Sequence, residues 1–356
     1  MASISKNSYG TYAVYWYDAD KKKRQKNFKT KAEAKKFAAT LELAPAERQS
    51  HILVKTLFEE YRDKVSSKKR GARNEMLRID ALIRRPFAQK TLATISTKDF
   101  IQHFEERSQE QCARTGVGVI SPATLIKERT LLSSIFNYGI SLKLISENPI
   151  HGVPKPQEPE HRERVATEEE IARLLVACGW DGKSVPETQS QLTVAAFIFS
   201  CKTGMRSGEI LRIEESWIDD CVIHLPKEAT KTDSRRDVAL SREAVKILDL
   251  VKQMGERPKI FGLLSNARRD ALWRKIRDRA GLGPILDSEG NTIKEGLNFH
   301  DARATFATWA ASPNPKTGAP RLDVLALARQ TGHKNLKMLQ RYYRASASTI
   351  AKRLDE

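Results

Sequence analysis

The stretch TGHKNLKMLQRYYRAS, residues 331–346, places two adjacent tyrosines, Tyr342 and Tyr343, nine and ten residues after His333. A tyrosine can act as a nucleophile and carry a covalent phosphoryl group, whereas two ordinary tyrosines would only pack on a helix. Neighbouring residues of a helix point about 100° apart, so only one of the two can face a reacting group. Whether either is a nucleophile depends on the partners that the rest of the chain supplies.

The chain is strongly basic. Its 356 residues include 62 Lys and Arg against 44 Asp and Glu, which gives a formal net charge of +18. Such an excess attracts phosphate polyanions and steers them in from solution. We therefore expect nucleic acid as a partner, and a generally basic soluble protein is the alternative. The sequence has no apolar run of membrane-span length and no signal peptide, so we expect no membrane partner.

The first 45 residues form one predicted domain. In GTYAVYWYDAD, residues 10–20, β-forming residues alternate between two faces, and RQKNF, residues 24–28, is typical of a returning strand. A capping box from Thr30 to Glu33 then predicts a helix. The pattern predicts a small three-stranded sheet plus a helix. One face would carry Tyr12, Val14 and Trp16, and the other Thr11, Ala13, Tyr15 and Tyr17.

This small sheet is also a candidate DNA-binding surface. A β-sheet can enter a DNA groove while a basic turn contacts the phosphates, and aromatic residues are interleaved with the charges here. One alternative is a solvated charged hairpin that binds nothing, and another is an RNA-binding sheet that stacks bases on its aromatic rings. The candidate DNA-contacting residues are Lys21, Lys22, Lys23, Arg24, Tyr15 and Tyr17.

Two further domains are predicted, at residues 52–152 and 164–356, and the proline-rich stretch SENPIHGVPKPQEPEH, residues 146–161, separates them. The first of these is helical throughout, with an N-cap at Ser96 and a first-turn proline at Pro122.

The last domain is predicted to be mainly helical with a small antiparallel sheet. A capping box from Thr167 to Glu170 opens one helix, and LTVAAFIFS, residues 192–200, is typical of a core helix. The small sheet is expected at residues 217–240, and an exposed loop or hairpin at residues 287–295. The predicted fold class is therefore a multidomain α+β protein.

Two stretches of this last domain carry cations suited to phosphate chemistry. In TGMRSGE, residues 203–209, Glu209 follows Arg206 by three residues and can hold the guanidinium in place. In ATKTDSRR, residues 229–236, Lys231 is expected at a hairpin tip, where it can reach a phosphate or a leaving oxygen. Taken alone, a surface Arg–Glu pair and a solvated lysine are the safer interpretations.

Two more stretches add histidines. In FHDARATFATWA, residues 299–310, His300 and Arg303 are expected on one face of a helix with apolar neighbours. A lone core histidine is usually satisfied by the backbone, but a histidine with an arginine is less easily dismissed. Gly332 and His333 are expected where a helix begins, with Tyr342 on the following turn or helix.

Together these residues suit metal-free phosphoryl transfer. Arginines can bind non-bridging phosphate oxygens and stabilise the transition state, histidine and lysine can move protons, and tyrosine can form a covalent intermediate. No carboxylate cluster is available for Mg²⁺, and the four cysteines include no CxxC pair, which argues against zinc. We expect no metal and no cofactor.

In this combination the chain resembles the tyrosine recombinases, and the phage integrases among them. The resemblance rests on TGMRSGE, the lysine of ATKTDSRR, HDAR as a His-x-x-Arg, the Gly-His pair and a tyrosine nine residues later, in matching order and spacing across residues 165–345. Thr331 departs from the leucine that is usual before Gly-His.

The resemblance implies a site-specific DNA recombinase, a phage or prophage integrase that integrates or excises mobile DNA through a 3′-phosphotyrosine intermediate. Residues 1–45 would bind arm-type sites, residues 52–152 core sites, and residues 164–356 would be catalytic. Two arginines would clamp the phosphate, the lysine would protonate the leaving 5′-oxygen, and the two histidines would assist proton transfer and donate a hydrogen bond to the phosphate. The implied catalytic set is Arg206, Lys231, His300, Arg303, His333 and Tyr342, with Glu209 orienting Arg206.

The resemblance also implies a homotetramer on double-stranded DNA attachment sites, in the cytoplasm of a bacterial host and associated with the nucleoid. Further partners could include accessory DNA-bending proteins and an excisionase. The C-terminal residues 347–356 would pack on a neighbouring protomer, and packing on their own domain is the alternative.

Two other functions stay open from sequence. One is a DNA-binding regulator with an inactive catalytic domain, and the complete residue set argues against it. The other is a type IB-like topoisomerase or nuclease, which shares the tyrosine chemistry without synapsis. The N-terminal sheet, as a second DNA-binding module, favours the integrase.

Overall fold

The computed structural model describes most of the chain, as two compact units at residues 1–160 and 161–356. The division between the units falls at the end of the predicted proline-rich boundary. The further division of the first unit into domains at residues 1–45 and 52–152 remains a prediction. No helix within the described residues is long and apolar enough to cross a membrane. The described residues are 3–6, 10–17, 23–35, 37–38, 52–112, 118–158, 162, 164–230, 234–287 and 292–343, with only the backbone at 17, 23 and 24.

The first unit begins with a three-stranded antiparallel sheet. Its strands, in order across the sheet, are β1 (Ser3–Lys6), β2 (Tyr12–Tyr17) and β3 (Lys23–Phe28). Helical residues at 31–35 and 37–38 cover one face, where Val14 and Ala34 are buried and Trp16 packs beside them. The alternation of β2 therefore places its Val14 face against this helical segment.

The predicted capping box at the start of this helical segment is present. The backbone N of Glu33 donates to Thr30 Oγ1, and the backbone N of Thr30 donates to Glu33 Oε2, both at 3.2 Å. These two bonds satisfy N–H groups that have no partner within the helix.

The described part of residues 52–152 is mainly helical, as predicted. Phe58, Phe100 and Phe136 are fully buried, and their rings meet edge to face at centroid distances of 5.9 Å (Phe58–Phe136) and 5.2 Å (Phe100–Phe136). Ser96 is an N-cap and Pro122 lies in a first turn, as the sequence predicts. The helices are α1 (Val54–Lys64), α2 (Ala72–Ile83), α3 (Thr97–Gln109) and α4 (Pro122–Ser141).

In its described residues, the second unit is mainly helical with two small antiparallel sheets. The predicted capping box at Thr167 opens its first helix. Its helices are α5 (Glu168–Cys178), α6 (Gln189–Thr203), α7 (Ser207–Ile210), α8 (Arg242–Lys252), α9 (Asn266–Arg279), α10 (Asp301–Ala311), α11 (Val324–Thr331) and α12 (Lys337–Gln340). Its strands are β4 (Ile218–Asp219), β5 (Val222–Leu225), β6 (Arg236–Ala239), β7 (Ile285–Leu286) and β8 (Thr292–Lys294).

The central helix of this unit is α6, which contacts α5, α8, α9 and α10. Leu192, Phe197 and Phe199 are completely buried. The ring of Trp273 stacks on that of Phe197, with 4.4 Å between the ring centroids. A helix that is apolar all round must be covered on every side. The prediction of a core helix here is confirmed. The candidate active site described below begins at the C-terminal end of this helix.

The sheet of β4, β5 and β6 lies within residues 217–240, where the sequence predicts it, and the loop or hairpin predicted at residues 287–295 includes β8. β5 and β6 pair with Val222 opposite Ala239 and Leu225 opposite Arg236. β7 and β8 form an exposed hairpin, of which residues 288–291 lie outside the described residues.

Candidate active site

A sharp turn after α6 positions the first arginine. Gly204 ends the helix with a left-handed backbone (φ +68°), and a Cβ atom there would lie 2.5 Å from a ring carbon of Phe306. Only glycine combines this φ with so close an approach. The chain then enters α7 with Arg206 as its N-cap.

The Glu209 carboxylate lies at the centre of the site and is only 2% exposed. It accepts hydrogen bonds from the backbone N and Nη1 of Arg206, at 2.8 and 3.1 Å, and from Nη1 and Nη2 of Arg236, at 3.0 and 2.9 Å. Burial alone would raise the pKa of Glu209, but the hydrogen bonds from Arg236 and Arg206 hold it below its ordinary value. One ionised carboxylate therefore orients two guanidinium groups.

Arg236 is a site residue that the sequence analysis missed. It lies on β6 two residues before Val238, and the period of a strand directs both side chains to the buried face. Its Nε donates to the carbonyl of Gln330 at 3.2 Å, and a Cβ atom on Gly332 would lie 2.6 Å from its Nη1. An arginine in line with core residues on a strand needs a buried anionic partner, and that signal could have identified it.

Gln330, also missed, joins three of the predicted stretches. Its side-chain amide donates to the carbonyls of Thr203 (3.0 Å) and Ala239 (2.9 Å) and accepts from the backbone N of Ala239 at 3.1 Å. The end of α6, the strand β6 and the helix α11 are thereby held together. A glutamine at this position carries no sequence signal, because its partners are backbone groups remote in sequence.

Arg303, on α10, is buried against the turn that follows α6. Its Nη1 donates to the carbonyl of Gly204 at 2.5 Å, and only 4% of the residue is exposed. Burial, and then the positive charges of Arg206 and Arg236, lower the pKa of Arg303 to about 9, so it stays charged at neutral pH. The described part of the site thus holds three guanidiniums and one buried carboxylate, which accepts hydrogen bonds from Arg206 and Arg236. The excess positive charge favours an anionic ligand.

His300 and Arg303 differ in environment although they are three residues apart. His300 is the N-cap of α10 and is exposed, whereas Arg303 is buried. The structure therefore places Arg303 among the arginines and leaves His300 at the surface end of the same helix.

His333 follows the end of a helix, so the expectation that Gly332 and His333 begin one is wrong. Gly332 caps α11 with a left-handed backbone (φ +69°), and such a glycine ends a helix because it satisfies the last carbonyls. Burial, then the charges of Arg303 and Arg206 and of other nearby arginines, lowers the pKa of His333 to about 3. The imidazole is therefore neutral.

The two tyrosines after α12 have different surroundings. Tyr343 Oη donates to the carbonyl of Leu322 at 2.8 Å, and burial, together with the negative charge of Asp323, raises the pKa of Tyr343 to about 12. Tyr342 interacts electrostatically with Arg303, and the guanidinium of Arg341 lies 5.8 Å from its ring centroid. Tyr343 thus anchors the segment, and Tyr342 is the tyrosine coupled to the arginines.

Lys231 lies outside the described residues. The segment that contains it connects β5 to β6, and Ser234 N donates to Thr230 Oγ1 at 3.1 Å across its base. Among the candidate DNA contacts, Tyr15 is half-buried on β2, opposite Gln25. Of the others, Lys21 and Lys22 lie outside the described residues, and only the backbone is described for Tyr17, Lys23 and Arg24.

The described residues contain no group of three or more His, Cys, Asp or Glu placed to hold a metal ion. What the geometry brings together is Arg206, Arg236, Arg303, Glu209, His333 and Tyr342. This arrangement can bind a phosphate group through guanidiniums and present a phenol beside it.

Comparison with known proteins decides the family. The model of the family described as "Phage integrase family" matches residues 164–349, which is more than half of the chain. The chain belongs to this family. It is a tyrosine site-specific recombinase, so the resemblance that the sequence carries is confirmed.

Relatives and solved structures agree over most of the chain. A "Putative integrase/recombinase" of Haemophilus influenzae is 31% identical over 329 residues, 89% of this chain and 81% of the relative. The "Shufflon-specific DNA recombinase" of Escherichia coli is 30% identical over 87% of this chain and 74% of the relative. A lambda integrase dimer bound to a COC′ core site has a TM-score of 0.61 at 18% identity, covering 96% of this chain and 94% of that chain. The predicted fold class is thereby confirmed.

Proposed function

We propose that the gathered residues cleave DNA at attachment sites and rejoin it, with Tyr342 as the nucleophile. The observation that carries the proposal is the excess positive charge around Glu209, with Tyr342 coupled to Arg303. Arg206 and Arg303 would bind the non-bridging oxygens of the scissile phosphate and stabilise the charge that builds up in the transition state. A phosphate would supply the anion that the arginines favour.

The remaining roles involve protons. Lys231 would protonate the 5′-oxygen as it leaves, His300 would assist proton transfer, and His333 would bind a phosphate oxygen. Deprotonating an ordinary phenol, with a pKa near 10, costs about 4 kcal/mol at pH 7. The positive charge of Arg303 beside Tyr342 would offset part of that cost.

The products of cleavage would be a 3′-phosphotyrosine and a free 5′-hydroxyl. Because one ester replaces another, the bond energy is retained and no ATP, metal or other cofactor is needed. A 5′-hydroxyl from a second duplex would then attack the phosphotyrosine and join the strands in a new order, which integrates or excises mobile DNA.

Exchange between two duplexes requires several protomers, and we propose a homotetramer on DNA. A lambda integrase tetramer bound to a Holliday junction, with a TM-score of 0.61 to this chain, supports this arrangement. Residues 1–45 would bind arm-type sites and residues 52–152 core sites, while residues 347–356, outside the described residues, would pack on a neighbouring protomer. Accessory DNA-bending proteins and an excisionase would be further partners, in a bacterial cytoplasm at the nucleoid.

Trapping the covalent intermediate tests the proposal. Wild type, Tyr342→Phe and Tyr343→Phe are incubated with a nicked duplex of the cognate core site, and protein–DNA bands that resist SDS are quantified. We expect the band to disappear with Tyr342→Phe and to persist with Tyr343→Phe, because Tyr343 only anchors the segment through Leu322. If the band disappears only with Tyr343→Phe, the nucleophile is Tyr343 and not Tyr342. No band from wild type on a site that it binds would favour a DNA-binding regulator.

A further inference from the structure

The hydroxyl of Thr331 is placed to control which nitrogen of His333 carries the proton. Thr331 is fully buried at the end of α11, and its Oγ1 lies 2.7 Å from Nδ1 of His333. The same Oγ1 lies 2.6 Å from the backbone carbonyl oxygen of Leu327, one helical turn earlier. Both distances are those of short hydrogen bonds.

A hydroxyl has a single proton, so only one of these two bonds can be donated by Thr331. The carbonyl oxygen of Leu327 has no proton to give and must be the acceptor. If Thr331 donated to His333 instead, two oxygen lone pairs would face each other at 2.6 Å. Thr331 therefore donates to Leu327 and accepts from Nδ1–H of His333.

The charged groups around His333 keep its ring neutral, so the ring carries one N–H. Four arginines from separate elements contribute positive charge here, and the carboxylate of Glu209 is already bound to two of them. Arg303 Nη2 lies 3.3 Å from Nε2 and 3.4 Å from Nδ1, so it is not directed at either nitrogen alone. The four arginines are Arg206, Arg236, Arg303 and Arg341.

We propose that Thr331 is a positioning residue that fixes His333 as the Nδ1–H tautomer and leaves Nε2 without a proton. This rests on the proposed function, in which His333 binds the scissile phosphate. Because Nδ1 is directed at a buried hydroxyl, the half-buried ring presents its other edge, with Nε2, to the site. A phosphate oxygen is an acceptor, so Nε2 can donate to it only after taking up a proton.

Phosphate binding at this site is therefore coupled to protonation of His333. The negative charge of the phosphate offsets the arginines and raises the pKa of the imidazole in the complex. A group whose pKa rises on binding strengthens binding at lower pH, and the contribution is lost as the pH rises through the pKa of the complex. Without the Thr331 hydroxyl, the neutral ring can place its proton on Nε2 and donate without proton uptake.

The tautomer is measured first, in the full chain without DNA. Long-range ¹H–¹⁵N spectra of histidine-labelled protein distinguish a protonated Nδ1 from a protonated Nε2, and the His333 signals are those lost in His333→Ala. We expect Nδ1–H in wild type and in Thr331→Ser, and Nε2–H in Thr331→Val. Wild type with a proton on Nε2 at neutral pH would overturn the proposal, whether or not the protein recombines DNA.

The functional consequence is measured as the single-turnover rate of covalent complex formation at a series of pH values. Dividing the Thr331→Val rate by the wild-type rate removes the pH dependence that other titrating groups contribute to both proteins. We expect this ratio to rise with pH, by at most about tenfold per pH unit, which is the limit for one titrating proton. The ratio for Thr331→Ser is expected to be constant.

A ratio for Thr331→Val that is independent of pH would overturn the coupling. If Thr331→Val does not fold, Thr331→Ala serves instead, because it removes the hydroxyl without adding a methyl group. A wild-type protein that forms no covalent complex would refute the proposed function, while the tautomer measurement would still decide the role of Thr331.

Discussion

The two units each contain a partly buried network of carboxylates and cations, and the networks differ in charge balance. In the first unit, Glu128 binds His103 at 2.8 Å and Arg107 at 3.3 Å. Glu110 accepts from Arg107 at 2.7 Å and from Arg85 at 2.9 Å. Two arginines thus meet two glutamates. In the described part of the second unit's site, Arg206 and Arg236 bind the carboxylate of Glu209, and Arg303 adds a third positive charge near them.

One arginine of each network shows the difference, because its pKa is shifted in the opposite direction from the other's. The hydrogen bonds that Arg85 donates to Glu110 raise the pKa of Arg85 above its ordinary value, despite partial burial. Burial and two neighbouring arginines lower the pKa of Arg303 to about 9. We therefore expect the balanced network to stabilise the fold and the unbalanced one to be unfavourable until an anion binds. Perturbed ionisable groups of this second kind are typical of functional sites.

The strongest test of the comparison replaces one arginine of each network with methionine. Arg303→Met is expected to reduce covalent complex formation by about 10³-fold, because the phosphate loses a charged donor in the transition state. Its free energy of unfolding should stay unchanged or rise by about 1–3 kcal/mol, since an uncompensated buried charge is removed. Urea unfolding and the trapping assay measure the two quantities.

Arg107→Met is the matched control in the balanced network. It leaves Glu128 and Glu110 short of a donor, so the free energy of unfolding should fall by about 1–3 kcal/mol while cleavage is retained. If both variants lose stability equally, the two networks do not differ in the way described.

A second test concerns Arg236, which binds both oxygens of Glu209 and lies against Gly332. Arg236→Lys keeps the charge but cannot make the two parallel bonds. We expect cleavage to slow by about 10- to 100-fold, with little change in DNA affinity, because Arg206 loses the fixed carboxylate that orients it. An effect on affinity alone would instead indicate that Arg236 only contributes charge.

The smallest expected effect is a change of stability with pH in the first unit. Burial alone would raise the pKa of Glu128. The hydrogen bond that His103 donates and the positive charge of Arg107 nevertheless hold this pKa below its ordinary value. The resulting stability is present above the unfolded pKa, near 4.3, and is lost as the pH falls through the lower folded pKa. Glu128→Gln should therefore cost about 1–2 kcal/mol at pH 7 and progressively less in acid, with cleavage at pH 7 unchanged.

The local sequence pattern was sufficient to predict most of the helices and strands. The capping boxes at Thr30 and Thr167, the cap at Ser96 and the apolar run of α6 each involve residues only a few positions apart, and the structure contains all of them. Gly332 was assigned to the wrong end of a helix because glycine is compatible with both a turn into a helix and a turn out of one. Only its left-handed backbone distinguishes the two.

The sequence by itself determined the α+β fold class, the basic charge and the order of the motifs that identify the family. Tertiary structure alone decided that Arg236 shares Glu209 with Arg206, and that Tyr343 bonds to Leu322 while Tyr342 couples to Arg303. The physical reason is that spacing along the chain defines local geometry only. Desolvation and the summed field of several charges depend on which distant segments the core brings together.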